Sequence, residues 1–229
     1  MATSGTTTFD LSIDDIIEEA YERCGVRTSS GYDLKSARRS LNIMFSEWGN
    51  RGVHLWKVEL KEQLLTAGTR TYTAPSNAND VLEAYISTTT GLSTSTNEVS
   101  LTKISRSEYA ALPNKGAQGQ PSQYYVDRQT TPTITLYLTP DASTYTYLKY
   151  YYLKRIEDAG AYTNQADVVF RFIPCMVAGL AYYLSMKRAP TLVQQNKLLY
   201  EDELQRALTE DGQRTSVYIT PQTFYPQGA

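Results

Sequence analysis

The chain of 229 residues is long enough for one large domain or two small ones with a hydrophobic core. Its 22 basic and 24 acidic residues give a net charge of -2, which argues against nucleic-acid coating as its main task, and 41% hydrophobic residues argue against a disordered chain. The longest apolar stretch, 175–186, is shorter than the roughly 20 residues of a membrane helix, so we expect no membrane span.

The first ten residues are small and polar and predict a flexible N-terminal arm without the apolar run of a secretion signal. Cys24 and Cys175 lie far apart and have no CxxC partner, so we interpret them as two buried thiols. These features predict neither a disulfide scaffold nor a cysteine-based zinc site.

Two helices are predicted before residue 55. The first begins with a capping-box spacing, Ser12-x-x-Asp15, and ends before Gly25. Its apolar face comprises Ile13, Ile16, Ile17, Ala20 and Cys24. The second follows Asp33 and has the apolar face Leu34, Ala37, Leu41, Met44, Phe45 and Trp48. We expect the two helices to pair, since residues 10–22 contain six acids and no base while Lys35, Arg38 and Arg39 start the second helix.

A period of two from about 57 to 156 predicts six to eight strands rich in Thr, Tyr and β-branched residues. In the first of them Trp56, Val58 and Leu60 alternate with Lys57, Glu59 and Lys61. The other runs are 71–73, 81–89, 99–104, 123–127, 133–139 and 144–153, with a short helix expected over 105–112. Turn-forming residues separate the runs, so we interpret this region as an inserted β-rich domain.

The helical period returns at Asp167. Its apolar stripe comprises Phe170, Ile173, Val177, Leu180, Ala181 and Leu184, with Pro174 in the first turn or at a kink. A last helix is expected over 191–210, with Leu192, Leu199, Leu204, Ala207 and Leu208 on one side. The following tail keeps four large apolar or aromatic residues that it cannot bury against itself, which predicts contact with a partner. They are Tyr218, Ile219, Phe224 and Tyr225.

The predicted class is therefore α+β. We expect an antiparallel helical bundle from residues 11–55 and 164–213 and an inserted sandwich- or barrel-like β-rich domain from residues 56–158. Extended arms over 1–10 and 214–229 complete this organisation.

Catalytic chemistry finds little support in the sequence. His54 is the sole histidine. The sequence contains no nucleotide-binding motif, no hydrolase motif and no zinc-protease motif. The best candidate for a metal site is an acidic cluster at the start of the first helix, although the helix dipole explains it equally well. Its members are Asp14, Asp15, Glu18, Glu19 and Glu22. We therefore expect no enzyme activity, no cofactor and no bound metal.

Tyrosine is the unusual component, with 19 residues against five Phe and two Trp. The candidates for contact between subunits are Tyr145, Tyr147, Tyr150 and Tyr152. Aromatic side chains on both faces of one strand predict a strand covered on both sides. Two other uses stay open: Arg23, Arg27, Arg38 and Arg39 could contact phosphate, and the tyrosines could stack on bases or sugars.

The order of elements resembles the head-to-tail adaptor, or tail tubular, proteins of short-tailed bacteriophages. The likeness is carried by residues 11–26 (LSIDDIIEEAYERCGV), 37–59, 171–190 and the last helix with its LLYEDELQRAL sequence. The resemblance implies a helical bundle interrupted by a β-rich module. It also implies a homo-oligomeric ring of twelve copies between the portal protein and the tail nozzle protein in the virion.

On this resemblance we expect the C-terminal arm to bind the portal and the loops of the β-rich domain to receive the nozzle, while DNA passes through the ring without sequence-specific binding. Two rival classes remain. A carbohydrate- or receptor-binding module of the tail would need an aromatic platform, and a wall hydrolase would need a pair of carboxylates in a cleft.

Overall fold

The computed structural model describes residues 11–27, 30–52, 57–91 and 97–212 together with Gly5 and Phe9. Its class is α+β, as predicted. The helices are α1 (Ile13–Arg23), α2 (Gly31–Asn50), α3 (Arg106–Ala111), α4 (Ile173–Arg188) and α5 (Val193–Asp211). Turns of 3₁₀ helix over Phe170–Phe172 and Pro190–Leu192 precede α4 and α5.

The strands lie between α2 and α4. They are β1 (Val58–Leu64), β2 (Thr71–Thr73), β3 (Ala78–Ser87), β4 (Glu98–Ile104), β5 (Gln118–Gly119), β6 (Gln123–Asp127), β7 (Thr133–Tyr137), β8 (Thr139–Pro140) and β9 (Tyr147–Lys154). Seven form one curled sheet in the order β1-β9-β3-β4-β6-β7-β2, in which only β4 and β6 are parallel neighbours. The short β5 and β8 pair separately. All seven predicted runs are strands, whereas the sandwich or barrel form stays a prediction.

The predicted start of α1 is confirmed in detail. The Asp15 backbone N–H donates to Ser12 Oγ, and the Ser12 backbone N–H donates to an Asp15 carboxylate oxygen at 2.9 Å. The hydrogen bond from the Ser12 hydroxyl, followed by the one from its backbone, lowers the pKa of Asp15. This reciprocal capping satisfies donors that have no partner inside the helix.

The helices surround α4, which is buried along most of its length and packs against α1, α2 and α5. Gly179 lies at its closest approach to the neighbouring helices, where a Cβ atom would collide with Met44 and lie 2.8 Å from Tyr200 Cε2. Pro174 occupies the first turn of α4, one of the two predicted positions. Cys24 and Cys175 are both free and buried, as expected.

The buried face of α5 differs from the predicted stripe. Tyr200 and Asn196 are buried beside Leu204 and Ala207, whereas Leu199 is about half exposed. The predicted stripe contained Leu199, whereas the structure buries the neighbouring Tyr200. The Tyr200 hydroxyl can be buried because it accepts a hydrogen bond from Trp48 Nε1 and donates one to Glu47. These two hydrogen bonds satisfy the Tyr200 hydroxyl inside the helical core.

The β-rich part has a hydrophobic core of its own, separate from that of the helices. Its largest buried side chains include Tyr124 and Tyr150. The Tyr124 hydroxyl donates to the Leu82 carbonyl at 2.9 Å, which satisfies a polar group that the core would otherwise leave unpaired. The two cores agree with an inserted module, while the predicted domain limits stay predictions.

Both ends of the helical part lie where it joins the β-rich part. Ser12 forms an isolated bridge with Gln165, and Arg171 forms an ion pair with Asp211 at the end of α5. On the same side, buried Lys57, next to the start of β1, forms an ion pair with Asp167. The chain therefore leaves α5 close to the segment that leads into the strands.

Candidate assembly surfaces

Two of the four tyrosines predicted at subunit contacts lie inside the chain's own core. Tyr150 is fully buried and Tyr152 nearly so, because the pairing of β9 with β1 and β3 turns both toward the β-rich core. Burial raises the pKa of Tyr150 to about 12, and its hydroxyl has no hydrogen-bond partner in the described part of the chain. Tyr150 and Tyr152 therefore contribute to the chain's own core, and a subunit contact through them stays a prediction.

The other two candidates remain available to a partner. Tyr145 is half-buried against the β-rich core, and Tyr147 is half-buried at the start of β9. Tyr147 pairs with Leu64 and shares the face of Tyr151, which is exposed. On this side of β9 Tyr151 is exposed, whereas Lys149 and Leu153 are buried, so within the described residues the second side of the strand is partly covered.

This side of the sheet exposes several apolar side chains. We call it the outer face and define it by Val58, Leu60, Leu64 and Tyr151, each of which is between 37% and 59% exposed. Residues opposite each other on antiparallel strands point to the same side, so Leu60 lies beside Tyr151 and Leu64 beside Tyr147. Exposed apolar side chains grouped on one side of a sheet are candidates for contact with a partner.

The apolar side chains of β1 point away from the core of the β-rich part. Its polar residues Glu59 and Lys61 lie opposite core residues Tyr152 and Tyr150, and its apolar residues point outward. The Tyr152 hydroxyl donates to a Glu59 carboxylate oxygen at 2.7 Å, which lowers the pKa of Glu59. The alternation predicted from the sequence is present, but the apolar row faces away from the core.

An ion-pair cluster around the buried Lys149 lies within the outer face, because Glu62 and Lys149 pair between Leu60–Tyr151 and Leu64–Tyr147. Lys149 Nζ donates to the Gly91 carbonyl at 2.6 Å and to Glu98 at 2.7 Å, and Glu62 lies 3.6 Å away. The Lys149 side chain is almost fully buried, so the pairs with two carboxylates offset the cost of removing its charge from water. The cluster connects β1, β9 and β4.

A comparison with known protein families identifies this architecture. The family model described as SU10 adaptor protein matches residues 7–223. The chain belongs to the SU10 adaptor protein family. This is a family of phage head–tail adaptors, so the chain is a structural adaptor protein of a phage. No curated protein matches the chain.

The metal and catalytic candidates of this SU10-family adaptor can now be placed. The side chains of Asp14, Glu18 and Glu22 lie on the exposed side of α1, and no group of three His, Cys, Asp or Glu residues in the described part of the chain could hold a metal ion. His54 lies outside the described residues. Among the helices that the structure describes, none is long and apolar enough to cross a membrane.

The predicted charge pairing between α1 and α2 is not formed among the described residues. Arg38 instead donates to the Gly160 carbonyl at 3.2 Å and lies over the Tyr162 ring. The pairing in α1 is internal, between Glu19 and Arg23. The two helices do pack against each other as expected, through their apolar faces.

Tyr109 and Tyr125 form an aromatic pair of the kind that a sugar-binding module would need. Tyr109 and Tyr125 stack with ring centroids 5.7 Å apart, in a shallow cleft of about 600 Å³. The Lys115 ammonium group lies 5.6 Å from the centroid of the Tyr109 ring and completes a stack of Lys115, Tyr109 and Tyr125. These contacts favour a structural role for the pair within the adaptor over sugar stacking.

The four residues predicted to bind the portal, Tyr218, Ile219, Phe224 and Tyr225, lie outside the described residues. The outer face was missed by sequence reasoning. The alternation of apolar and polar residues in β1 could have predicted it. A strand at the edge of a sheet can direct its apolar residues toward a partner instead of toward the core.

Proposed function

We propose that this SU10-family adaptor forms a ring of copies, twelve by the resemblance, between the portal protein and the tail nozzle protein at the head–tail junction of the virion. The family match over residues 7–223 carries the proposal. The apolar outer face supports it, because a subunit that assembles needs large surfaces that a partner covers.

We infer that residues 214–229 form the portal-binding arm, with Tyr218, Ile219, Phe224 and Tyr225 as its contact residues. The supporting observation is the position of Asp211, whose ion pair with Arg171 fixes where the chain leaves α5. The 17 residues after Gly212 can extend over at most about 60 Å, enough to reach a separate ring.

The loops of the β-rich part receive the nozzle in this proposal, and DNA passes through the ring without sequence-specific contacts. The net charge of -2 supports a conduit of this kind, since a strongly basic lining would bind phosphate and slow the passage of DNA. The predicted ring contacts of Tyr145 and Tyr147 fit their partial exposure.

Mass measurement under native conditions tests the proposal. The 25.7 kDa chain is measured alone and after mixing with a purified portal ring. Binding of several copies to one portal supports the adaptor function, and a chain lacking residues 214–229 should stay folded and lose that binding. Failure of the intact chain to bind the portal would contradict the proposed function.

A further inference from the structure

The exposed side of α2 carries positive charge that has no partner in the described part of the chain. Lys35 and Arg39 are both exposed, one helical turn apart, and neither forms an ion pair with a described residue. The two acids of α2, Asp33 and Glu47, form ion pairs with other arginines. Like charges four residues apart on a helix repel each other, so this side of α2 favours an anionic partner.

A groove of about 380 Å³ runs along these cations. Among the described residues no acid lines it, and the lining comprises Lys35, Arg38, Arg39, Asn42, Ile43 and Ser46. Ile43 is 52% exposed there. Burial, followed by the positive charge of Arg39, lowers the pKa of Lys187, whose Nζ donates to Ser40 Oγ at 2.6 Å. The groove therefore suits a helix that presents carboxylates beside apolar atoms.

The exposed side of α1 has the complementary charge. Asp14, Glu18 and Glu22 follow one another at four-residue steps, so their positions are about 6 Å apart along the helix axis, as are those of Lys35 and Arg39. The other two acids of α1 are engaged locally, in the helix cap and in the internal ion pair. Two rows of opposite charge and equal spacing are thus unmatched within the described part of the chain.

A second groove, of about 260 Å³, borders the acidic row. Its lining comprises Glu18, Tyr21, Glu22, Val26 and Arg27. Two carboxylates outnumber one cation in this lining, so the groove is negatively charged. Because the side-chain ridge of one helix packs into the groove of another, Glu18 and Glu22 are the acids best placed to meet a cationic ridge.

The two rows do not meet within one copy. The helices α1 and α2 pack through their apolar faces, which leaves the charged rows on the sides turned away from the helical core. We propose that the exposed side of α2 in one copy receives the exposed side of α1 from the neighbouring copy, with Glu18 and Glu22 against Lys35 and Arg39. This inference rests on the proposed ring, since a closed ring joins two different surfaces of successive copies.

The chemistry of this contact fits assembly on a template. Exposed ion pairs each contribute little affinity, so they set the register between copies and exclude wrong partners, while Ile43 adds apolar contact. The portal holds copies side by side and raises their effective concentration, so a weak contact suffices there. The contact lies in the helical part and leaves the proposed ring contacts of Tyr145 and Tyr147 in the β-rich part unchanged.

Chemical cross-linking tests the contact without the portal. One chain carries Glu18→Cys and a second chain, with a different mass tag, carries Arg39→Cys, and both native cysteines are buried. At low ionic strength a short bismaleimide linker should join the two chains at least about tenfold more than it joins the Glu18→Cys chain to a Lys197→Cys chain. Lys197 is the matched control because it is an exposed cation on α5.

Charge reversal tests the chemistry of the contact on the portal ring. A chain with Lys35→Glu and Arg39→Glu presents two acidic sides, and a chain with Glu18→Lys and Glu22→Lys presents two basic ones. Each alone should place fewer copies on the portal than the unaltered chain in native mass measurement, whereas Lys197→Glu should change nothing. An equal mixture of the two variants should restore the full number, because alternating copies again join opposite charges at every contact.

Two results would overturn the proposal. One is cross-linking no stronger than in the Lys197→Cys control, and the other is a mixture that binds the portal no better than either variant alone, with unchanged circular dichroism. Portal binding by the unaltered chain is measured in parallel. Its absence rejects the adaptor function, whereas cross-linking reports the contact between copies without the portal, so the two failures are distinguishable.

Discussion

Trp48 Nε1 donates a hydrogen bond of 2.9 Å to the hydroxyl oxygen of Tyr200, and these two residues are 152 positions apart in the chain. The bond joins α2 to α5 across the whole inserted β-rich part. The Tyr200 hydroxyl in turn donates to Glu47 at 3.0 Å, and Glu47 also accepts from Tyr183 at 3.1 Å and pairs with Arg51 at 2.5 Å. One polar network therefore connects the first and last parts of the helical core.

Removing the Tyr200 hydroxyl should destabilise the protein. In Tyr200→Phe the fully buried Trp48 N–H loses its acceptor, and an unpaired buried donor costs about 1–3 kcal/mol. Urea unfolding should show that loss in the free energy of unfolding. The control is Tyr182→Phe, since the Tyr182 ring stacks on Tyr200 but its hydroxyl makes no hydrogen bond in the described part of the chain, and the control should change little.

Gly179 should tolerate no side chain. A Cβ atom there would meet Met44 and lie 2.8 Å from Tyr200, so Gly179→Ala should lower the free energy of unfolding by about 1–3 kcal/mol despite the better helix propensity of alanine. Gly49 in α2 has no atom within 4 Å of the same position. Gly49→Ala should raise the free energy of unfolding by up to about 1 kcal/mol, and equal effects of both changes would contradict the close helix packing.

The cap of α1 should give stability that depends on pH. The pKa of Asp15 is lower in the folded chain than in the unfolded one, so its contribution is complete above the unfolded pKa of about 3.9 and is lost as the pH falls through the folded pKa. Asp15→Asn should therefore reduce the free energy of unfolding at pH 7, and the difference from the unaltered chain should shrink in acid.

Asp14→Asn separates the cap from the general effect of charge near the helix start. Asp14 is also in the first turn of α1, and its side chain makes no hydrogen bond to a described residue. Its replacement removes the same charge and leaves the cap in place. A pH dependence as large as that of Asp15→Asn would assign the effect to the helix dipole rather than to the cap.

Sequence patterns predicted the elements well and their orientation poorly. The capping box at Ser12 and the period-two runs depend on near neighbours, and both are confirmed. The alternation in β1 shows that Leu60 and Leu64 share a side, but the pairing with β9 decides that this side faces outward. Tyr150 and Tyr151 are adjacent residues of the same type, and only the register of β9 determines that Tyr150 is buried and Tyr151 is exposed. Long-range pairing of this kind has no local signal.

The contrast between two neighbouring core tyrosines gives the last prediction. Tyr150 is fully buried with an unpaired hydroxyl, so Tyr150→Phe should leave the free energy of unfolding unchanged or raise it by about 1 kcal/mol. Tyr152→Phe, two residues away on the same face, removes a bond to Glu59 and should lower it by about 1 kcal/mol. Both variants keep the ring, so their difference isolates the hydroxyl groups in urea unfolding. A loss of stability in Tyr150→Phe would show that its hydroxyl is bonded in solution.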